Sequence, residues 1–331
     1  MSIIEYRSDV THNMNITAAE GATYGGIIIS LGLGVIFASG SMAAYTFITP
    51  PDNMKTAEKL IVYNLLGPDF ALGSLLAHLF GPAIINQNWP YSKFSTQCLA
   101  FIHAACVYHA NVAAGFICYI VAMALRDAYR FEGSNNIKHM SALVISSLSL
   151  TICFCSLPAT EKGGFAYLDN WLGPWYDIKY QYGSLFMVVA LSGLIVILDI
   201  TSIVNLFRTK WLFTQEGSKI SKRALDDVNK LIIFVIMNTL CGLPTMLVAF
   251  VATTKASVLM IRFALYVCPL LRVVMLLYLC PHFQFGRSVI STQDLDDYTK
   301  LGEEGAIDTT SDRLYNIIEG EDAGDDGAED A

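Results

Sequence analysis

Seven residues in this chain have charges or imidazoles where the surrounding sequence is almost entirely apolar: Asp69, His78, His103, His109, Asp199, Arg262 and Arg272. Metal-assisted hydrolysis would need several His and carboxylates converging at ligand spacing. His103 and His109 are six residues apart, about 120° around a helix, and the last two apolar stretches contain no His. There is no Gly-x-Gly-Asp pair, and Tyr176-Asp177 lies between stretches, so a membrane hydrolase is not expected. What is left is ion-pair chemistry. In "YVCPLLRVVMLLYL" (266–279) Arg272 cannot shed its proton, so it needs a partner, a watered cavity or a route to an interface. Asp69 and Asp199 are the carboxylates that could meet it.

The elements that must carry these groups follow from composition. Of 331 residues, 54% are hydrophobic and only 15% charged, which excludes an ordinary soluble domain and a nucleic-acid binder. Seven apolar segments, roughly 23–48, 59–85, 97–125, 140–159, 182–207, 231–253 and 258–280, approach or exceed the ~20 residues that cross a bilayer. The fold class expected is all-α, a polytopic seven-helix membrane bundle over 23–285, after a short N-terminal segment, 1–22, that has no signal-peptide pattern. From Asp294 on, 14 acidic residues oppose Lys300 and Arg313, so that stretch holds −12 of the net −8 and leaves the rest near +4. Such a segment cannot bury enough apolar area to fold, and 286–331 is expected to be a disordered tail. The eight cysteines form no C-x-x-C pair, and no metal or cofactor is expected.

Basic residues orient the bundle. With the N-terminus outside, the inner side holds Lys55, Lys59, Arg126, Arg130, Lys138, Arg208, Lys210, Lys219, Lys222, Arg223, Lys230 and Arg287. The outer side holds only Arg7, Lys93, Lys162, Lys179, Lys255 and Arg262. The sequon Asn15-Ile16-Thr17 then falls on the outer side as a glycosylation site.

Several stretches resemble the rhodopsin-like G-protein-coupled receptors. "NLLGPDF" places Asn64 five residues before Asp69, like that family's N-L-x-x-x-D. "CGLP" (241–244) is similar to C-W-x-P, with Gly242 at the tryptophan position. "CPLLR" (268–272) stands where N-P-x-x-Y is expected, with Cys268 and Arg272 replacing the asparagine and tyrosine. Trp89 and Cys98 in "NWPYSKFSTQCLAF" match the outer-loop tryptophan and the cysteine before the third span. The departures are "ALRDAYRF" in place of D-R-Y, and no cysteine between 160 and 182 to pair with Cys98. "LDITSIVNLFRTK" and "ACVY" look similar to the nematode chemoreceptor class Srx.

The resemblance implies roles. Asp69 matches the family's ion-binding, activation-sensitive aspartate, with Asn111 able to approach it. Arg272, at a position that faces the bundle and moves on activation, is expected to pair with Asp69 or Asp199, or to snorkel to the inner headgroups. Pro244 and Pro269 are the expected hinges. Phe101, Ala105 and His109 recur every four residues on one face of the third span and, with Leu243 and Tyr266, form the expected ligand contacts. Arg126, Lys219, Lys222 and Arg223 are the expected G-protein contacts, equally readable as contacts to anionic headgroups. A retinal protein is not expected, because the lysine nearest the seventh span, Lys255, precedes it.

The reading is a non-enzymatic chemoreceptor of the plasma membrane. It would bind an unidentified small molecule between the outer helix halves and signal to a heterotrimeric G protein. The alternative is a seven-helix transporter or channel.

Overall fold

A computed structural model describes residues 12–49, 56–126, 135–160, 164–168, 171–176, 182–215, 222–250 and 255–279. These lie in one compact unit, Met1–His282, and the expected acidic tail lies outside the described residues. Long helices dominate: α1 (Ala18–Ile48), α2 (Thr56–Leu75), α3 (Gly81–Ile85), α4 (Lys93–Arg126), α5 (Asn135–Ser156), α6 (Tyr182–Gln215), α7 (Lys222–Phe250) and α8 (Lys255–Leu279). One π-turn, Leu76–Phe80, joins α2 to α3, so the second span runs on as one rod with a local unwinding. The result is an all-α polytopic bundle of seven rods.

Most rod ends lie within five residues of the segments read from hydropathy, but α6 runs on to Gln215, eight residues past the expected 207, and α7 starts at Lys222, nine residues before the expected 231. Five contain a stretch long and apolar enough to cross a membrane by themselves. In α5 and α7 the apolar stretches among the described side chains are Ser141–Ser156 and Val228–Gly242. The helices themselves are 22 and 29 residues, and 22 residues rise about 33 Å, enough for a core of about 30 Å. Hydroxyls inside the rods donate back into their own helix, as Thr151 to Ser147 O (2.8 Å), Thr46 to Met42 O (2.8 Å) and Ser202 to Leu198 O (2.7 Å). Large apolar side chains on the outside, among them Phe37, Phe47, Ile197 and Met260, are exposed as a lipid-facing surface requires.

Thr17, the last residue of the sequon, starts α1 through a capping box. Its hydroxyl accepts from Glu20 N, and the Glu20 carboxylate accepts from Thr17 N. Asn15, two residues earlier, is exposed. α1 packs on the second span through glycine. A Cβ on Gly32 would lie 2.8 Å from Gly73 O, and one on Gly73 would lie 2.9 Å from Gly32 O. Backbones this close tolerate no side chain at either position.

Helix α4 is the axis. It touches α2, α5, α6 and α7, and 78% of its apolar window is buried against 28% for α1. Its inward line is Ala100, His103, Ala104, Val107, Tyr108 and Asn111, all at most 4% exposed. Over one end lies a hairpin, β3 (Phe165–Leu168) with β4 (Gly173–Tyr176), in register Phe165↔Tyr176 to Leu168↔Gly173. A short pair, β1 (His12–Asn13) with β2 (Asn88–Trp89), lies at the same end of the chain order, before α1 and before α4. We call this the outer end, following the loop charges.

Candidate functional site

Midway down the bundle, α2, α4 and α8 bring three polar side chains together. Arg272 donates through Nε to Asp69 Oδ2 and through Nη2 to Asp69 Oδ1, both at 2.9 Å, and through Nη1 to Asn111 Oδ1 at 2.8 Å. Arg272 is 6% exposed and Asp69 1%, so the guanidinium is inside the bundle and does not reach the headgroups. The bidentate fork matches guanidinium to carboxylate geometry, and Asn111 takes a third donor. Asp199 is not part of this pair. It accepts from Asn238 Nδ2 (3.1 and 3.2 Å) and from Thr239 Oγ1 (2.8 Å), which joins α6 to α7. Asn238 Nδ2 also reaches Asn111 O at 3.4 Å, so one polar network runs through α2, α4, α6, α7 and α8.

Pro269 lies one turn before Arg272. It deprives Leu265 O of its helical donor. Beside it, Cys268 Sγ donates to Ala264 O (3.2 Å) and lies 3.6 Å from Cys241 O on α7.

The outer end is closed by aromatic side chains. Trp171 and Trp175 stack at 4.7 Å and 16°, Trp175 stacks on Tyr176 at 4.6 Å, and His103 meets Trp175 at 4.4 Å. Tyr176 and Tyr108 share a hydrogen bond of 2.9 Å, and burial pushes the Tyr176 phenol up, so it stays protonated. From α8, Arg262 is fully buried and reaches into this stack. Its Nη1 donates to Trp171 O and, at 3.2 Å, to Leu172 O, while Nε donates to Tyr266 Oη at 2.8 Å. Tyr266 in turn meets His103 Nε2 at 3.2 Å, and His103 Nδ1 lies 3.4 Å from Pro174 O. A carbonyl can only accept, so Nδ1 carries the proton and Nε2 accepts from Tyr266. The donors therefore run in one direction, from Arg262 through Tyr266 and His103 to the hairpin. Leu172 sits at φ 52, a left-handed conformation costing a β-carbon residue about 1–3 kcal/mol, and the Arg262 contact at its carbonyl helps hold it there.

No family model matches the sequence, and no curated protein matches it. Among solved structures, squid rhodopsin superposes with a TM-score of 0.64 over 87% of this chain and 91% of its own, at 11% identity. The chain shares the rhodopsin fold. At that identity the likeness is one of architecture.

The residues singled out from the sequence are distributed as follows. Asp69, Asn111 and Arg272 come together; Asp199 is in the same network but is bonded to α7 and not to Arg272. Tyr266 lies in the outer cluster. Phe101 and Ala105 are half-buried on a flank of α4, Phe101 edge-on to Phe165 at 6.1 Å. His109 does not join them: its Nε2 donates to Asn64 Oδ1 at 2.9 Å, and Asn64 reaches Ser147 at 3.4 Å, a packing contact among α2, α4 and α5. Arg262 lies near the outer end of the last span, as read from the sequence, but is fully buried and so adds nothing to the outer loop charges. Leu243, Pro244, Arg126, Lys222 and Arg223 fall in helices, but their side chains lie outside those described, as does the whole of Lys219. Sequence reasoning missed Asn238 and Thr239, although an amide and a hydroxyl side by side inside "VIMNTLCG" were a visible signal. It also missed the Arg262–Tyr266–His103 chain, whose far ends are backbone carbonyls.

Proposed function

We propose that this chain is a G-protein-coupled receptor-like chemoreceptor of the plasma membrane. Its ligand binds at the outer end, and its inner face engages a heterotrimeric G protein. One observation carries the reading: α8 holds the outer cover through Arg262 and the central network through Arg272, with Pro269 between them. The two arginines are ten residues apart, about 15 Å along the helix, so a ligand that shifts the outer part of α8 acts on the Asp69–Arg272 pair through one rigid element interrupted at a single proline. A pair buried this deeply has two well-separated arrangements, closed or broken, which is what a two-state switch needs.

In this proposal Asp69, Arg272, Asn111 and Asp199 set the resting arrangement, Pro269 is the pivot on α8 and Pro244 the pivot on α7. The basic residues Arg126, Lys219, Lys222 and Arg223 contact the G protein. The experiment is guanine-nucleotide exchange on a panel of purified G proteins by the receptor in nanodiscs, comparing wild type with Asp69→Asn, which removes the charge partner of Arg272. A change of basal exchange in the variant on at least one G protein supports the reading. No exchange on any, together with solute flux by the same protein in liposomes, would point to a seven-helix transporter and overturn it.

A further inference from the structure

The outer cluster has a surplus of buried donors. Arg262 is fully buried, yet among the described residues it has no carboxylate within ion-pair distance; its oxygen partners are two backbone carbonyls and a phenol. Among the described residues its Nη2 has no hydrogen-bond partner, and neither has Nε1 of Trp171, over whose ring the guanidinium stands at 5.6 Å. Nη2 lies against Gly173, where a Cβ would come within 3.3 Å, so the missing side chain leaves that donor room. A buried cation with only neutral acceptors is in an unfavourable place, and each unmet donor beside it adds to the cost. The contrast with Arg272 is direct, since that guanidinium has a carboxylate and an amide oxygen for three of its nitrogens.

The missing group is therefore an anion with at least two acceptor oxygens. The walls say what its body is: rings of Phe80, Trp171 and Tyr266 stand 5.3–6.0 Å from the guanidinium carbon, and Trp175 stacks on Trp171. We infer that the outer cluster is a binding site for a small aromatic carboxylate, whose carboxylate accepts from Arg262 Nη1 and Nη2 and from Trp171 Nε1 and whose ring stacks among the hairpin tryptophans. To enter, it exchanges the Trp171 and Leu172 carbonyls on Nη1 for a charged acceptor, which makes a stronger bond, and it frees Leu172 from its left-handed backbone. Lifting of the hairpin is thus part of binding. This names the ligand class of the receptor proposed above and rests on that reading only in taking the ligand as external.

The test uses the full chain in nanodiscs and no G protein, so its failure is separate from a failure to couple. Thermal unfolding is followed by tryptophan fluorescence with benzoate, phenylacetate or indole-3-acetate, with the matching amides, and with sodium chloride at equal ionic strength. At least one carboxylate should raise the midpoint saturably, while its amide and chloride should not. Trp171→Phe, which keeps a ring and loses the Nε1 donor, should raise the half-saturating concentration about tenfold. Arg262→Gln should abolish the shift; should that variant not fold, the carboxylate-against-amide comparison on the wild type and the Trp171→Phe titration decide. The inference is overturned if none of the three carboxylates shifts the midpoint, if the amides shift it equally, if chloride alone reproduces it (an inorganic-anion site), or if folded Arg262→Gln keeps the response.

Discussion

Arg272 on α8 and Asp69 on α2 face each other through two parallel hydrogen bonds of 2.9 Å, at 6% and 1% exposure. Breaking such a pair from one side leaves a charge stranded in the interior, at a cost of about 3–5 kcal/mol. Replacing both partners by apolar groups removes the charge and the need for it together. We expect Asp69→Leu to lower the unfolding midpoint sharply or to prevent surface expression, and Asp69→Leu with Arg272→Met to recover most of the loss. A double variant no better than the worse single one, measured by thermal unfolding, would mean that the two residues do not act as a pair.

The Asp199 site is held by α7. Thr239→Val keeps the shape and removes a donor from a buried carboxylate, so it should cost about 1–3 kcal/mol. Thr201, whose hydroxyl makes an exposed bond to its own helix at Ile197 O, serves as the control: Thr201→Val should fall within about 0.5 kcal/mol of wild type. Equal effects of the two substitutions would remove Thr239 from the network.

The α1 contact is set by bare backbone. Gly32→Val drives a side chain into Gly73 O and should cost about 2 kcal/mol or more through overpacking, whereas Gly26, with nothing within 4 Å of its built Cβ, should accept Ala with little change. Expression level and thermal midpoint of the two variants provide the comparison.

The hairpin's tyrosine pair makes a local prediction. Tyr108→Phe removes one partner of the 2.9 Å bond and leaves the Tyr176 hydroxyl buried without it, costing about 1–3 kcal/mol. Tyr108→Phe with Tyr176→Phe removes both hydroxyls and should be less destabilised than the single substitution. A double-mutant cycle on the thermal midpoint reads the coupling.

Orientation has a simple chemical test. Asn15 is exposed three residues before α1 begins at Ala18, and with the N-terminus outside it should carry a glycan in eukaryotic cells. Asn15→Gln should then abolish a mobility shift that glycosidase treatment removes from the wild type. A wild type unmoved by glycosidase would withdraw the glycosylation proposal.

The helices were legible in the sequence because lipid imposes a length and a polarity that few residues can disguise. The Asp69–Arg272 pair was legible for the same reason: in an apolar rod a charge has few places to go. The place of Arg262 near the outer end of the last span was legible, but its bonds were not, because its oxygen partners on the hairpin are carbonyls that every sequence possesses. The α4 face was misjudged by geometry. Stepping from Phe101 by fours drifts 40° per step from a straight line along the helix, and by His109 the line has turned from the hairpin side to Asn64. The inward line alternates steps of three and four, through 100, 104, 107 and 111.

The way the outer hairpin is fastened has a consequence for the life of the molecule. Among the described residues Cys98 is a free, half-buried thiol, and the hairpin is fastened by hydrogen bonds to Arg262, His103 and Tyr108 and by stacked rings. These contacts form without an oxidant, and reductants should leave the unfolding midpoint unchanged. The fastening is also shared among weak bonds on two different helices, so loss of one slackens the rest. The cover should therefore release as a single cooperative event and re-form spontaneously, where a covalent staple would have confined it to swinging about one point.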